Sequence, residues 1–239
     1  MEMTKDALRA ERSLHFSFAL LTFVTGLVDA GSYLSMGHIF TANMTGNIVL
    51  LGLAVANIPG LSVLRSITAL IFAFVGGIVS GRLEHWSANW RRSHWLGLVA
   101  AMETTLLFVA CMLLAMQHDS VVVSGSSLYG VIALTALAMG IRNGTVRRLG
   151  VPDITTTVLT LTVAGLASES SLAGGNNPRW VRRISAVFSM LFGAAVGALL
   201  LQHSLALELG LAAFITLTAM IIQCFRSDTM QELTAASHK

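Results

Sequence analysis

"GHIFTANMTGNIVLLGLAVA", residues 37–56, contains no Asp, Glu, Lys or Arg and ends in an apolar run, yet its first half holds Asn43, Thr45, Gly46 and Asn47. The apolar part, roughly 43–56, spans about 21 Å as a helix, against about 30 Å of bilayer hydrocarbon. Whether it crosses the membrane or enters and turns back sets the topology of everything after it.

The rest of the chain belongs in a membrane. Of 239 residues, 54% are hydrophobic and 11% charged, and the mean hydropathy is +0.73. That lies outside the soluble globular range. The formal charge of +3 and the pI near 9.3 do not indicate nucleic acid, because Lys and Arg lie in short clusters between apolar runs. They read as topology signals. Cys111 and Cys224 lie inside apolar runs without CxxC spacing, so neither a disulfide framework nor a metal site is expected, and no cofactor. The N-terminal "MEMTKDALRAER" leads into an apolar run with no cleavage site after a short hydrophobic core, which predicts an uncleaved first span.

Six runs are long enough to cross: roughly 14–35, 61–81, 95–116, 126–146, 184–203 and 206–225. Two are shorter, 43–56 and 155–168. Short cytoplasmic loops collect Lys and Arg. With Lys5, Arg9 and Arg12 inside, a full crossing at 43–56 would put Arg82, Arg91 and Arg92 outside. A re-entrant segment keeps them inside. The same choice at 155–168 keeps Arg142, Arg147 and Arg148 with Arg179, Arg182 and Arg183, and puts Arg226 and Lys239 inside as well. The loops left outside, "QHDSVVVSGSS" and Gln202 to Ser204, hold no Lys or Arg. Trp86, Trp90, Trp95 and Trp180 sit in or beside the Arg-bearing loops, as interfacial anchors would.

The second half echoes the first. "TGLVDAGSYLSMG" (25–37) matches "MGIRNGTVRRLG" (139–150), with Gly26 over Gly140 and Asp29 over Asn143. Each is followed by a Thr-rich stretch and a short apolar run, then by a span with a small-xxx-small pair, Gly77 with Gly81 and Gly193 with Gly197. Three crossings per unit turn the second copy upside down. The predicted fold is therefore an all-α integral membrane protein with six transmembrane helices plus two re-entrant half helices in an inverted repeat. It forms a single membrane domain over 1–225, with repeat 1 about 14–116 and repeat 2 about 126–225, followed by a short cytoplasmic tail, 226–239.

Non-helical backbone at membrane depth is tolerated only where it is buried in protein or lines a water-filled cavity. Asn43, Thr45 and Asn47 can cap a half helix there, and Asp153, Thr155, Thr156 and Thr157 can do so in the second copy. Together with Asp29, Glu103 and Asn143 they are the candidate lining of a substrate pathway, because polar and ionisable residues inside a membrane are functional by default. Arg142 is the long-range partner open to Glu103. The four paired glycines are candidate helix-packing sites.

"GLVDAGSYLSMGHIFTANMTGNIVLLG" (26–52) and "RRLGVPDITTTVLTLTVAGLA" (147–167) strongly resemble the YoaK family, a domain-of-unknown-function family of bacterial inner-membrane proteins. The resemblance extends over nearly the whole chain. It implies a six-span protein of the inner membrane, with no established activity. The family's second motif often reads Thr-Gly-Thr where this chain has Thr160, Leu161 and Thr162.

The function expected is a channel or secondary transporter for a small polar or anionic solute, with a pathway between the two half helices. The alternative is a non-transporting assembly protein or an intramembrane enzyme. No nucleophile and base, HExxH set or nucleotide-binding loop is recognisable, so no enzyme is expected. The lipid bilayer is the expected partner and a homo-oligomer stays open. The expected placement is multi-pass, with both termini cytoplasmic.

Overall fold

The computed structural model describes residues 5–87, 90–116, 125–149, 159–177 and 179–237. These form eight α-helices and one short 3-10 turn, and no strand occurs among them. The helices are α1 (Lys5–Ser35), α2 (Met44–Val55), α3 (Val63–Trp86), α4 (Arg92–Ala115), α5 (Ser126–Leu149), α6 (Leu159–Ser168), α7 (Trp180–Leu200) and α8 (Leu205–Ser237). Two of them, α2 and α6, fall on the short apolar runs. With 12 and 10 residues, they extend about 18 and 15 Å.

Among the described residues, five segments are long and apolar enough to cross a membrane: His15–Ser35, Val63–Trp86, Arg92–Ala115, Trp180–Leu200 and Leu205–Phe225. As long as α3, α5 misses that group because Arg142, Asn143, Arg147 and Arg148 dilute its apolar run. Arg142 is fully buried, so this charge faces helices and not lipid. The outward surface is apolar: Phe74 is 72% exposed, Phe214 67% and Phe225 75%. Soluble monomers rarely show such faces, and hydrocarbon welcomes them. The chain is an all-α, multi-pass membrane protein.

Packing comes in matched pairs. Helix α1 lies along α7 as α5 lies along α3, and α1 meets α8 as α5 meets α4. The short helices follow the rule, α2 on α3 and α6 on α7, while α4 and α8 pack on each other. The crossings repeat in detail. A Cβ at Gly26 would overlap the Met190 carbonyl, and one at Gly193 the Phe23 carbonyl. In the other pair, a Cβ at Gly140 would overlap the Ala73 carbonyl and one at Gly76 the Leu137 carbonyl. Each glycine stands three residues after the carbonyl that meets its partner, so both crossings share one register.

Two expectations need correction here. Gly193 and Gly197 do face α1, but Gly77 and Gly81 have open space where a Cβ would go. The contact glycine of α3 is Gly76, and Ser80 takes the place one turn on, touching Gly144 and bonding Thr145 Oγ1 at 3.1 Å. A one-residue step turns a helix by about 100°, which moves the side-chain position off the interface. Among the tryptophans, Trp86, Trp90 and Trp180 are exposed at helix ends, but Trp95 is buried with Phe18, Leu96 and Val99.

A cavity between the starts of two short helices

After Ser35 the chain turns through Gly37 and His38, both at positive φ, and runs non-helically to Asn43. Its backbone is satisfied by side chains. Asn47 brackets Phe40, its Oδ1 accepting from the Phe40 amide at 2.8 Å and its Nδ2 donating to the Phe40 carbonyl. The Phe40 ring stacks on Tyr33, with centroids 5.2 Å apart. Asn43 caps α2, accepting from the Gly46 amide at 3.2 Å. Asp29 reaches across from α1, its Oδ1 accepting from the Ala42 amide at 2.8 Å. Asn143, which the repeat matches to Asp29, donates to the carbonyl of the same residue at 3.5 Å. The loop is thus held from both halves of the molecule.

Beside it lies a cavity of about 620 Å³. Asp29 and Thr25 line it from α1, Thr45, Gly46 and Val49 from α2, Leu159, Thr160 and Leu161 from α6, and Met190 from α7, with Asn43 at the cap. The first turn of α2 and the first described turn of α6 therefore open on one space. Helix N-termini carry unpaired amides and a partial positive charge. Asp29 adds the opposite charge to the same wall. Its Oδ2 has no hydrogen-bond partner among the described residues, although Asp29 is only 5% exposed.

The predicted pathway residues divide. Asp29, Asn43 and Thr45 line the cavity. Asn47 is fully buried and spent on Phe40, and Asn143 is placed on the Ala42 loop. Glu103 lies elsewhere, at the centre of the bundle, paired with Arg142. Arg142 also donates to Thr216 Oγ1 at 2.7 Å and to the Leu21 carbonyl at 3.2 Å, so one guanidinium ties together α1, α4, α5 and α8. Asp153, Thr155, Thr156 and Thr157 lie outside the described residues.

The sequence reading missed Thr25, Thr160, Met190 and Glu208. Thr25 stands four residues before Asp29 and so on the same helix face, a signal that was available. Thr160 sits where the family motif carries its first Thr. Glu208, buried in α8, has neither oxygen hydrogen-bonded among the described residues, and its carboxylate fills the space that a side chain on Gly31 would need. Among the described residues no three His, Cys, Asp or Glu side chains gather as a metal site.

The family model described as a protein of unknown function, DUF1275, matches residues 17–222. The chain is 39% identical over 157 residues to the UPF0700 transmembrane protein YoaK of Bacillus subtilis (strain 168). That match covers 64% of this chain and 65% of the relative, so the chain spans just under two thirds of the curated protein it resembles. No solved structure gives a significant match. With most of its length under one family model and both signature stretches inside it, the chain belongs to the DUF1275 family, the family of YoaK.

Proposed function

We propose that the protein is a channel or secondary transporter for a small polar solute, which passes through the cavity between the starts of α2 and α6. The observation that carries the reading is the joint lining: Asp29, Asn43 and Thr45 from the first half meet Thr160 from the second in one space. The six long helices are the spans in this reading, with α2 and α6 re-entrant. The two halves form an inverted repeat, the plan in which interrupted helices at matching positions flank a transport site. The matched packing pairs and the twofold glycine crossings support it. The Lys and Arg clusters support cytoplasmic termini in a bacterial inner membrane.

Charge narrows the solute. Each helix start contributes roughly half a positive charge, and an ionised Asp29 would offset both. An uncharged solute with hydrogen-bonding groups fits that wall, whereas an anion fits once Asp29 carries a proton, which couples its passage to protons.

Flux into liposomes, across a panel of weak acids, ammonium, water and amino acids, tests the proposal. Asn43→Leu and Thr160→Leu should block whatever flux the wild type carries. Asp29→Asn keeps an acceptor for the Ala42 amide and removes the charge. It should abolish proton-coupled flux and leave passive flux intact. If all three variants match the wild type at equal expression, the pathway is wrong and a non-transporting assembly role takes its place.

A further inference from the structure

A second feature lies away from the solute cavity. Helices α3 and α4 follow each other in sequence but barely touch, while α5 packs on both. The groove they leave holds two cavities at different depths. The first, about 430 Å³, is polar and lined by Glu84, His85, Trp90, Arg92, Trp95 and Arg148 among others. The second, about 360 Å³, is apolar, with Val79 from α3, Met102 and Leu106 from α4, and Leu137 and Ile141 from α5.

The same helices build both. From Trp95 to Met102, and from Arg148 to Ile141, is seven residues, or about 10 Å along the helix. The headgroup layer of a bilayer leaflet is about 5–8 Å thick, so this step carries the groove from headgroup depth into hydrocarbon. At the apolar level Ala101 and Thr105 are exposed, so the groove opens sideways where acyl chains lie.

At the polar level two arginines face one carboxylate. Arg148 pairs with Glu84 at 2.5 Å, and Arg92, exposed at the start of α4, forms no ion pair among the described residues. The Trp95 indole N–H is buried without an acceptor among the described residues. Beside it the Trp86 and Trp90 rings lie 5.0 Å apart, an aromatic pair of the kind found at membrane interfaces. Basic pockets between transmembrane helices on the cytoplasmic side suit anionic lipid headgroups.

We propose that the groove between α3 and α4 holds one anionic phospholipid, its phosphate against Arg92 and Arg148 and an acyl chain along Val79, Met102 and Leu137. A free phosphate would use only the polar level, and a soluble peptide would not reach the apolar one.

Native mass spectrometry of the full chain in mild detergent, with added phosphatidylglycerol, tests this. The wild type should retain one phosphatidylglycerol, and a phosphatidylcholine of the same chain length should bind about tenfold more weakly, the worth of one charge-assisted contact. Arg92→Gln should weaken phosphatidylglycerol by about the same factor and phosphatidylcholine by less, because the choline ammonium already opposes the pull of the arginines on the phosphate both lipids carry. Ala101→Phe, which narrows the apolar level, should weaken both. Equal retention of the two lipids by the wild type would overturn the proposal, as would wild-type retention by both variants. Displacement of the lipid by millimolar inorganic phosphate would overturn it too, by assigning the polar level to a free anion. If Arg92→Gln does not fold, the wild-type comparison of the two lipids decides alone.

Discussion

Arg142 and Glu103 form an ion pair whose two side chains are both fully buried. Removing one partner of a buried pair leaves the other charge uncompensated, which costs about 3–5 kcal/mol. Glu103→Gln should therefore lower the melting temperature in detergent markedly. A transport role for Glu103 would instead show as altered flux at unchanged stability. Asn47→Leu should also destabilise the fold, by about 2 kcal/mol or more, because the Phe40 amide and carbonyl lose their partners. Asn43→Ala removes only a cap and should cost about 1 kcal/mol by the same measurement. That these asparagines matter was legible in the sequence, since polar residues inside an apolar run demand a reason. Which one caps and which one brackets was not, because that depends on the path of residues 36–43, fixed by Asp29 from another helix. Glu208 stayed hidden for a similar reason: its importance lies in facing Gly31, a contact between the two ends of the chain.

Elements were easier to read than the contacts between them. Apolar run lengths located all six long helices and both short ones, because hydrocarbon thickness sets a length that composition reveals. The helix phase escaped. Gly76 and Gly77 are adjacent, and the spacing of Gly77 to Gly81 pointed to the wrong one, since pattern alone does not say which face meets α5. Gly76→Leu and Gly193→Leu should each abolish stable protein, because the new side chain would overlap backbone that cannot retreat. Gly77→Leu should keep yield and melting temperature close to wild type. Comparing the three in one detergent checks the register of both crossings. Equal loss from Gly76→Leu and Gly77→Leu would contradict it.

At the scale of the whole molecule, every major packing contact has a counterpart with the two halves exchanged, and that of α4 with α8 is its own counterpart. The charge pattern and the internal repeat suggested that arrangement. A pathway between the short helices was expected from the repeat; the size and lining of the cavity were not, because they depend on how far α2 and α6 stand apart. The proposed topology predicts that single cysteines at Trp90 and Trp180 label only from the cytoplasmic side, and one at Ser120 only from outside. In the proposed transport role, water and solute reach the space between the two short helices. Replacing Cys111 and Cys224 with Ala provides a background for Thr45→Cys and Thr160→Cys, each treated with a water-soluble thiol reagent in right-side-out and inside-out vesicles. Both positions should react from at least one side, while Phe74→Cys, on the outer apolar face, stays unmodified. If neither Thr45→Cys nor Thr160→Cys reacts from either side while Trp90→Cys does, the cavity is sealed and the transport reading is contradicted.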